Sequence, residues 1–126
     1  MFLKTVVHKI KNSIFKHKNK KEGEQVEYRQ EKKIEQYLCN RVKEIGGYAM
    51  KITSPGMAGV PDRLILFNGV AAFVELKAPG GKPTERQIAI HRFLHRLGFP
   101  VCVADSKHKV DCLVREVERR GFKSDY

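Results

Sequence analysis

Two carboxylates and an ammonium group fall close together in the stretch Gly59–Lys77, GVPDRLILFNGVAAFVELK. Asn68-Gly69 is a strong signal for a two-residue type I′ turn, because both central positions of that turn need a positive φ. With that loop, Phe67 faces Val70, and counting outward sets Asp62 opposite Glu75. Directly opposed strand residues have Cβ atoms about 4.5–5.5 Å apart, and like charges there destabilise a sheet. Side chains alternate along a strand, so Glu75 and Lys77 share one face, which is also that of Asp62. The neighbours Leu64, Ile65, Leu66, Phe73, Val74 and Leu76 are apolar. A carboxylate pair in such surroundings calls for a cation. A divalent ion held by oxygen ligands would supply it, and Lys77 beside it could orient a water or stabilise developing charge. The plainer alternative is an ion pair on a solvated sheet face. The order P-D, strand-turn-strand, E-x-K carries more information than scattered charges would.

Pro61-Asp62 followed by Glu75-Leu76-Lys77 resembles the PD-(D/E)xK nuclease superfamily. The flanking GVPD at 59–62, the continuation ELKAPGG at 75–81 and Gln87 narrow the resemblance to the VRR-NUC (virus-type replication-repair nuclease) family, in particular its small stand-alone phage-type members. It spans Glu31 to Leu113. The resemblance implies an α/β, restriction-endonuclease-like αβββαβ core, with a mixed central sheet flanked by helices. It also implies a Mg²⁺- or Mn²⁺-dependent, structure-specific endonuclease that hydrolyses phosphodiester bonds in branched DNA, foremost four-way (Holliday) junctions, as a homodimer. Asp62, Glu75 and the Leu76 carbonyl would hold the metal. Glu31, in the context Glu31-Lys32-Lys33-Ile34, would complete the shell, with Glu35 as fallback and a solvated helix charge as the plain alternative for both. Lys77 and Gln87 would join Asp62 and Glu75 as catalytic residues. Gly59, Arg63, Lys82 and Arg86 are the candidate DNA contacts. Other readings are a flap, general or restriction-like endonuclease, or a catalytically silent DNA-binding module with the same fold.

Stepping outward from these residues, the chain has 126 residues, enough for one small domain with a single core. Its formal net charge of +11 favours polyanionic partners, chiefly nucleic acid. No apolar run approaches the ~20 residues of a membrane span, and no membrane partner is expected. Cys39, Cys102 and Cys112 lack CxxC spacing and read as reduced, buried thiols of a cytoplasmic protein, in a bacterial host if phage-encoded.

Residues 1–27 are compositionally distinct. Leu3, Val6, Val7, Ile10 and Ile14 recur at helical spacing among lysines, with no acidic residue before Glu22. They read as a basic amphipathic helix followed by a charged linker, KHKNKKEGEQ, ahead of a nuclease-like domain at 28–121 and a frayed tail at 122–126. The helix could serve as an arm on DNA, pack on a partner subunit, lie on a membrane surface or pack on its own domain. A second helix follows, with Ile34, Leu38, Val42 and Ile45 as its apolar stripe and Gly46-Gly47 as its stop. Residues 48–53 read as a strand, and SPGMAG (54–59) is a loop whose glycines let the backbone approach a phosphate. After Lys77, a second loop leads to Thr84, which opens a helix running to about Leu97. Thr84 with Gln87 fits a capping box, the structural alternative to a site role for Gln87. His91 and His95 have zinc-like spacing but lack a third ligand, so His91 reads first as a surface or half-buried residue, with a place near the scissile phosphate as the lesser alternative. A strand at 99–104 and a helix with Val110, Leu113, Val114 and Val117 on its stripe, ending at Gly121, complete the chain.

Overall fold

The computed structural model describes residues 2–119 and 124–126. The elements run α1 (Phe2–Glu44), β1 (Tyr48–Lys51), β2 (Arg63–Phe67), β3 (Val70–Leu76), α2 (Glu85–Arg96), β4 (Val101–Ala104) and α3 (Lys107–Glu118). This is the expected αβββαβ order with one further helix. The four strands form a mixed sheet in the order β1-β2-β3-β4. The first two pairings are antiparallel and β3–β4 is parallel.

The hairpin has the register that Asn68-Gly69 dictates, with Phe67 paired to Val70 and Arg63 to Val74. Asn68 (φ 42°) and Gly69 (φ 79°) both adopt the positive φ of a type I′ turn. One further step outward sets Asp62 opposite Glu75.

The two sheet faces do different work. Ala49, Ile65, Ala72, Val74 and Leu76 point to one face and pack against Ile34, Leu38 and Val42 of α1 and Val110, Val114 and Val117 of α3. Burying a side chain such as Leu38 stabilises the fold by roughly 1.5–3 kcal/mol. The other face carries Glu75 and is partly covered by α2, whose buried residue is His91.

α1 ends in a Schellman motif. Gly46 takes φ 85°, its N–H donates to the Lys43 carbonyl, and the Gly47 N–H donates to the Val42 carbonyl. Gly47 cannot be replaced cheaply, since a Cβ there would lie 2.9 Å from the Leu66 carbonyl oxygen.

Four expectations are corrected. The segment read as a linker, KHKNKKEGEQ, is helical, so α1 is one continuous helix of 43 residues. Lys, Glu and Gln are strong helix formers, Lys18–Glu22 and Lys20–Glu24 sit four residues apart, and the single Gly23 costs only about 1 kcal/mol. The first half of α1 does not pack on its own domain: Leu3 is 78% and Ile14 63% exposed, and residues 7–30 are exposed throughout. The tail is not frayed where it is described, because Ser124 and Asp125 hydrogen-bond to β4 and the Tyr126 hydroxyl lies 2.8 Å from His91 Nδ1. The first strand stops at Lys51 rather than residue 53. The expected helix stop at Gly121 lies outside the described residues.

Leu38 is fully buried between α1 and the sheet. Replacing it by Ala is expected to cost about 2–5 kcal/mol, read as a lowered urea midpoint at unchanged m-value.

Candidate active site

The hairpin register brings Asp62 and Glu75 together at the end of the sheet. The backbone N–H of Leu76 donates to Asp62 Oδ2 at 2.8 Å, and the Ile52 N–H donates to the Asp62 carbonyl at 3.0 Å. These bonds fix the carboxyl between two strands. Burial pushes the Asp62 carboxyl up to about 7, and repulsion from Glu75 adds to the rise. The Leu76 N–H opposes that rise, while a hydrogen bond to Glu75, which only a protonated carboxyl can donate, and the Glu31 charge reinforce it.

Glu75 is almost fully buried. Its Oε1 accepts from Gln87 Nε2 at 3.0 Å and lies 3.6 Å from Lys77 Nζ. Its Oε2 has no hydrogen-bond partner among the described residues and faces His91 Nε2 at 3.5 Å. Lys77 Nζ donates to Gln87 Oε1 at 3.0 Å.

Gln87 makes the contacts of the capping box and, with the same side chain, contacts to Lys77 and Glu75. Its backbone N–H donates to Thr84 Oγ1 at 3.2 Å, and its Oε1 accepts from the Thr84 N–H at 2.8 Å, forming the capping box. The same amide bridges Lys77 and Glu75. The cap locks the first turn of α2, and the locked turn aims the amide at the site.

Glu31 and Glu35 are separated by their surroundings. Burial raises the Glu31 carboxyl above its ordinary range. The Lys77 charge opposes that rise and the Glu75 charge adds to it, so Glu31 lies in the electrostatic field of the site. Glu35 is engaged elsewhere. It pairs with Arg63 at 3.0 Å, Lys32 at 2.8 Å and Lys51 at 3.7 Å. Burial raises its carboxyl, but hydrogen bonds from Lys32 and Arg63 outweigh this and hold it below its usual value.

The candidate DNA contacts divide as well. Arg63 is corrected: its guanidinium bonds Glu35 and the Ala49 carbonyl at 3.1 Å, on the α1 side of the sheet, where it closes the core edge. Gly59 takes φ 90°, and a Cβ there would meet the Arg86 carbonyl oxygen and Ile90 Cγ1 at 3.2 Å each. It is a close-packing glycine between the 54–59 loop and α2. Arg86 is exposed and donates from Nε to the Ala58 carbonyl at 3.2 Å, and Lys82 is exposed.

The expected exposure of His91 is corrected. The residue is fully buried, not superficial, and its Nδ1 sits 2.8 Å from the Tyr126 hydroxyl. The signal was its place on the Gln87–Ile90–Leu94 face of α2. Nothing in the sequence pointed to Tyr126. The three cysteines are partly buried, and burial pushes Cys102 up to about 12.

The donor set suits a hard divalent cation. Asp62 and Glu75 offer carboxylate oxygens, Glu75 Oε2 is a buried oxygen without a hydrogen-bond partner, and the raised Asp62 carboxyl marks a place where a positive charge is favoured. Among the described residues no three His, Cys, Asp or Glu side chains converge as a cage. That is compatible with an ion such as Mg²⁺, which is usually bound through one or two carboxylates and keeps several waters.

A mixed sheet flanked by helices, with P-D and E-x-K meeting across a hairpin, defines the class of nuclease-fold proteins. No family model matches the chain. It is 53% identical over 78 residues to a protein named "Putative nuclease p44" of Acyrthosiphon pisum secondary endosymbiont phage 1, covering 61% of this chain and 84% of that protein. It also matches a solved VRR_NUC domain with 33% identity and a TM-score of 0.64, over 68% of this chain and 95% of that chain. The chain belongs to the VRR-NUC family.

The Asp62 carboxyl binds a proton more readily in the folded than in the unfolded state, so its contribution to stability is full below about pH 4 and is lost as pH rises toward 7. In metal-free protein, Asp62→Asn is therefore expected to be neutral near pH 4 and stabilising at pH 7–8. After discounting for partial exposure the gain is on the order of 1–3 kcal/mol, measured as the pH-dependent shift of the urea midpoint.

Proposed function

We propose that this protein is a metal-dependent DNA endonuclease that hydrolyses phosphodiester bonds in branched DNA, with four-way junctions cut by a homodimer as the leading substrate reading. The observation that carries the catalytic part is the grouping at the open end of a β-hairpin of Asp62, held by the Leu76 N–H, with Glu75 and Lys77, which Gln87 bridges. A silent binding module has no need of two carboxylates held against each other beside a phosphate.

Asp62, Glu75 and the Leu76 carbonyl would hold Mg²⁺ or Mn²⁺, with Glu31 reaching the ion directly or through water. When bound, the ion polarises the phosphate and lowers the pKa of its water. Lys77, held by Gln87, orients the attacking water or offsets the negative charge that builds on the phosphoryl oxygens. Gln87 keeps Lys77 and Glu75 in register. Lys82 and Arg86 sit on the exposed rim, where phosphate contacts add affinity without sequence preference.

The dimer reading has support on the sheet. Tyr48, Met50 and Leu66 share the sheet face opposite the core and stay exposed. An apolar patch of that kind suits a second copy, and a two-fold dimer would present two sites to opposing strands of a junction.

The test is cleavage of labelled four-way junction, flap and linear duplex with Mg²⁺ or Mn²⁺. Paired symmetric nicks in the junction are expected. Cutting of all three substrates alike would indicate a general endonuclease, and binding without metal-dependent cutting would indicate a binding module. Lys77→Met is expected to lower the cleavage rate at least ~10²-fold while leaving DNA affinity within about threefold. Equal loss of both would remove the assigned role.

A further inference from the structure

Two side chains next to Glu75, His91 and Tyr126, are left without a role by the cluster above. His91 is fully buried on α2, and its Nε2 has no hydrogen-bond partner among the described residues. Glu75 Oε2, 3.5 Å away, is likewise buried and unpartnered. The Tyr126 hydroxyl lies 2.8 Å from the other ring nitrogen, Nδ1, and the two rings meet edge to face at 5.4 Å.

Tyr126 is held there by the sheet. β4 is an edge strand, and residues 124–125 occupy its open side. The Asp125 N–H donates to the Val101 carbonyl at 3.0 Å, the Val103 N–H donates to Asp125 Oδ2 at 2.8 Å, and the Val101 N–H donates to Ser124 Oγ at 3.2 Å. These bonds satisfy edge groups that would otherwise invite another strand. They also fix where the next residue, Tyr126, puts its hydroxyl.

We propose, building on the nuclease reading, that Tyr126 and His91 are positioning residues that orient the catalytic carboxylate of Glu75. A tyrosine hydroxyl has one proton and a neutral imidazole has one. If the hydroxyl donates to Nδ1, the ring proton must sit on Nε2, aimed at Glu75 Oε2. Gln87 already holds Oε1. With an N–H directed at each oxygen, the carboxylate is confined to one orientation, and its remaining lone pairs face Asp62. An Nε2 that carries a proton has no lone pair for a metal, so His91 acts through Glu75. Partners of this kind tune metal affinity or activity by about 10–100-fold.

Two readouts test this in the 126-residue chain. The first is the imidazole ¹H–¹⁵N correlation spectrum of metal-free protein, where His91 is expected as a single Nε2–H tautomer that becomes mixed in Tyr126→Phe. The second is Mg²⁺ affinity by calorimetry, together with steady-state cleavage. Tyr126→Phe and His91→Phe are expected to weaken Mg²⁺ binding about tenfold and to lower kcat with KM for DNA unchanged. His91→Gln, which restores a donor, is expected to recover part of the loss. Should His91→Phe fail to fold, Tyr126→Phe, which removes one oxygen, carries the test. An Nδ1–H tautomer in the wild type would overturn the proposal, as would Mg²⁺ affinities in Tyr126→Phe and His91→Gln indistinguishable from wild type. A wild-type protein that cuts no DNA would sink the nuclease reading instead, and the tautomer measurement would still decide the role of Tyr126.

Discussion

Repulsion between Asp62 and Glu75 is the constraint around which the rest of this chain is arranged. A two-residue turn fixes the hairpin register, and the register leaves no choice about which residue opposes Glu75. The pair sits where water is scarce, so the ionised form of Asp62 is costly, as its raised carboxyl records. Cations then gather around the pair: Lys77 beside Glu75, with the donors of Gln87 and the Leu76 N–H completing its partners. An arrangement this unfavourable for a metal-free fold makes physical sense when the same groups have an ion to bind.

The division of the sheet explains how a small domain sustains such a site. The face toward α1 and α3 is apolar except at the edge that Arg63 and Glu35 close, and it carries the stabilising burial. The charged cluster occupies the other face, under α2, where the capping box at Thr84 and Gln87 makes one side chain serve both helix initiation and the site. Arg63 and Glu35 illustrate the same economy on the core side, since they neutralise each other at the edge of the apolar layer and leave Glu31 as the acidic residue of α1 in the electrostatic field of the site.

Local rules carried much of this. The turn chemistry of Asn68-Gly69 predicts the register, period-2 alternation predicts that Asp62, Glu75 and Lys77 share a face, and the stripes of α1 and α3 predict the core. What local rules left open depended on packing between distant segments. Arg63 lies beside the motif in sequence, but strand alternation turns it toward Glu35, 28 residues away. His91 has both polar and apolar neighbours on its helix face, Gln87 and His95 beside Ile88 and Leu94, and the docking of α2 onto Glu75 is what buries it. Tyr126 reaches it through edge-strand bonds that no residue type announces. The lysine-rich segment ahead of Glu31 was legible as charged, but charge alone does not separate a linker from an exposed helix.

The most direct measurement of the central claim is titration of Mn²⁺ into metal-free protein, wild type beside Glu75→Gln, by calorimetry at fixed pH. If the opposed carboxylates exist to hold a cation, the wild type binds with a defined stoichiometry and releases protons, and Glu75→Gln loses that binding while remaining folded. Equal Mn²⁺ binding by the two proteins would contradict the account.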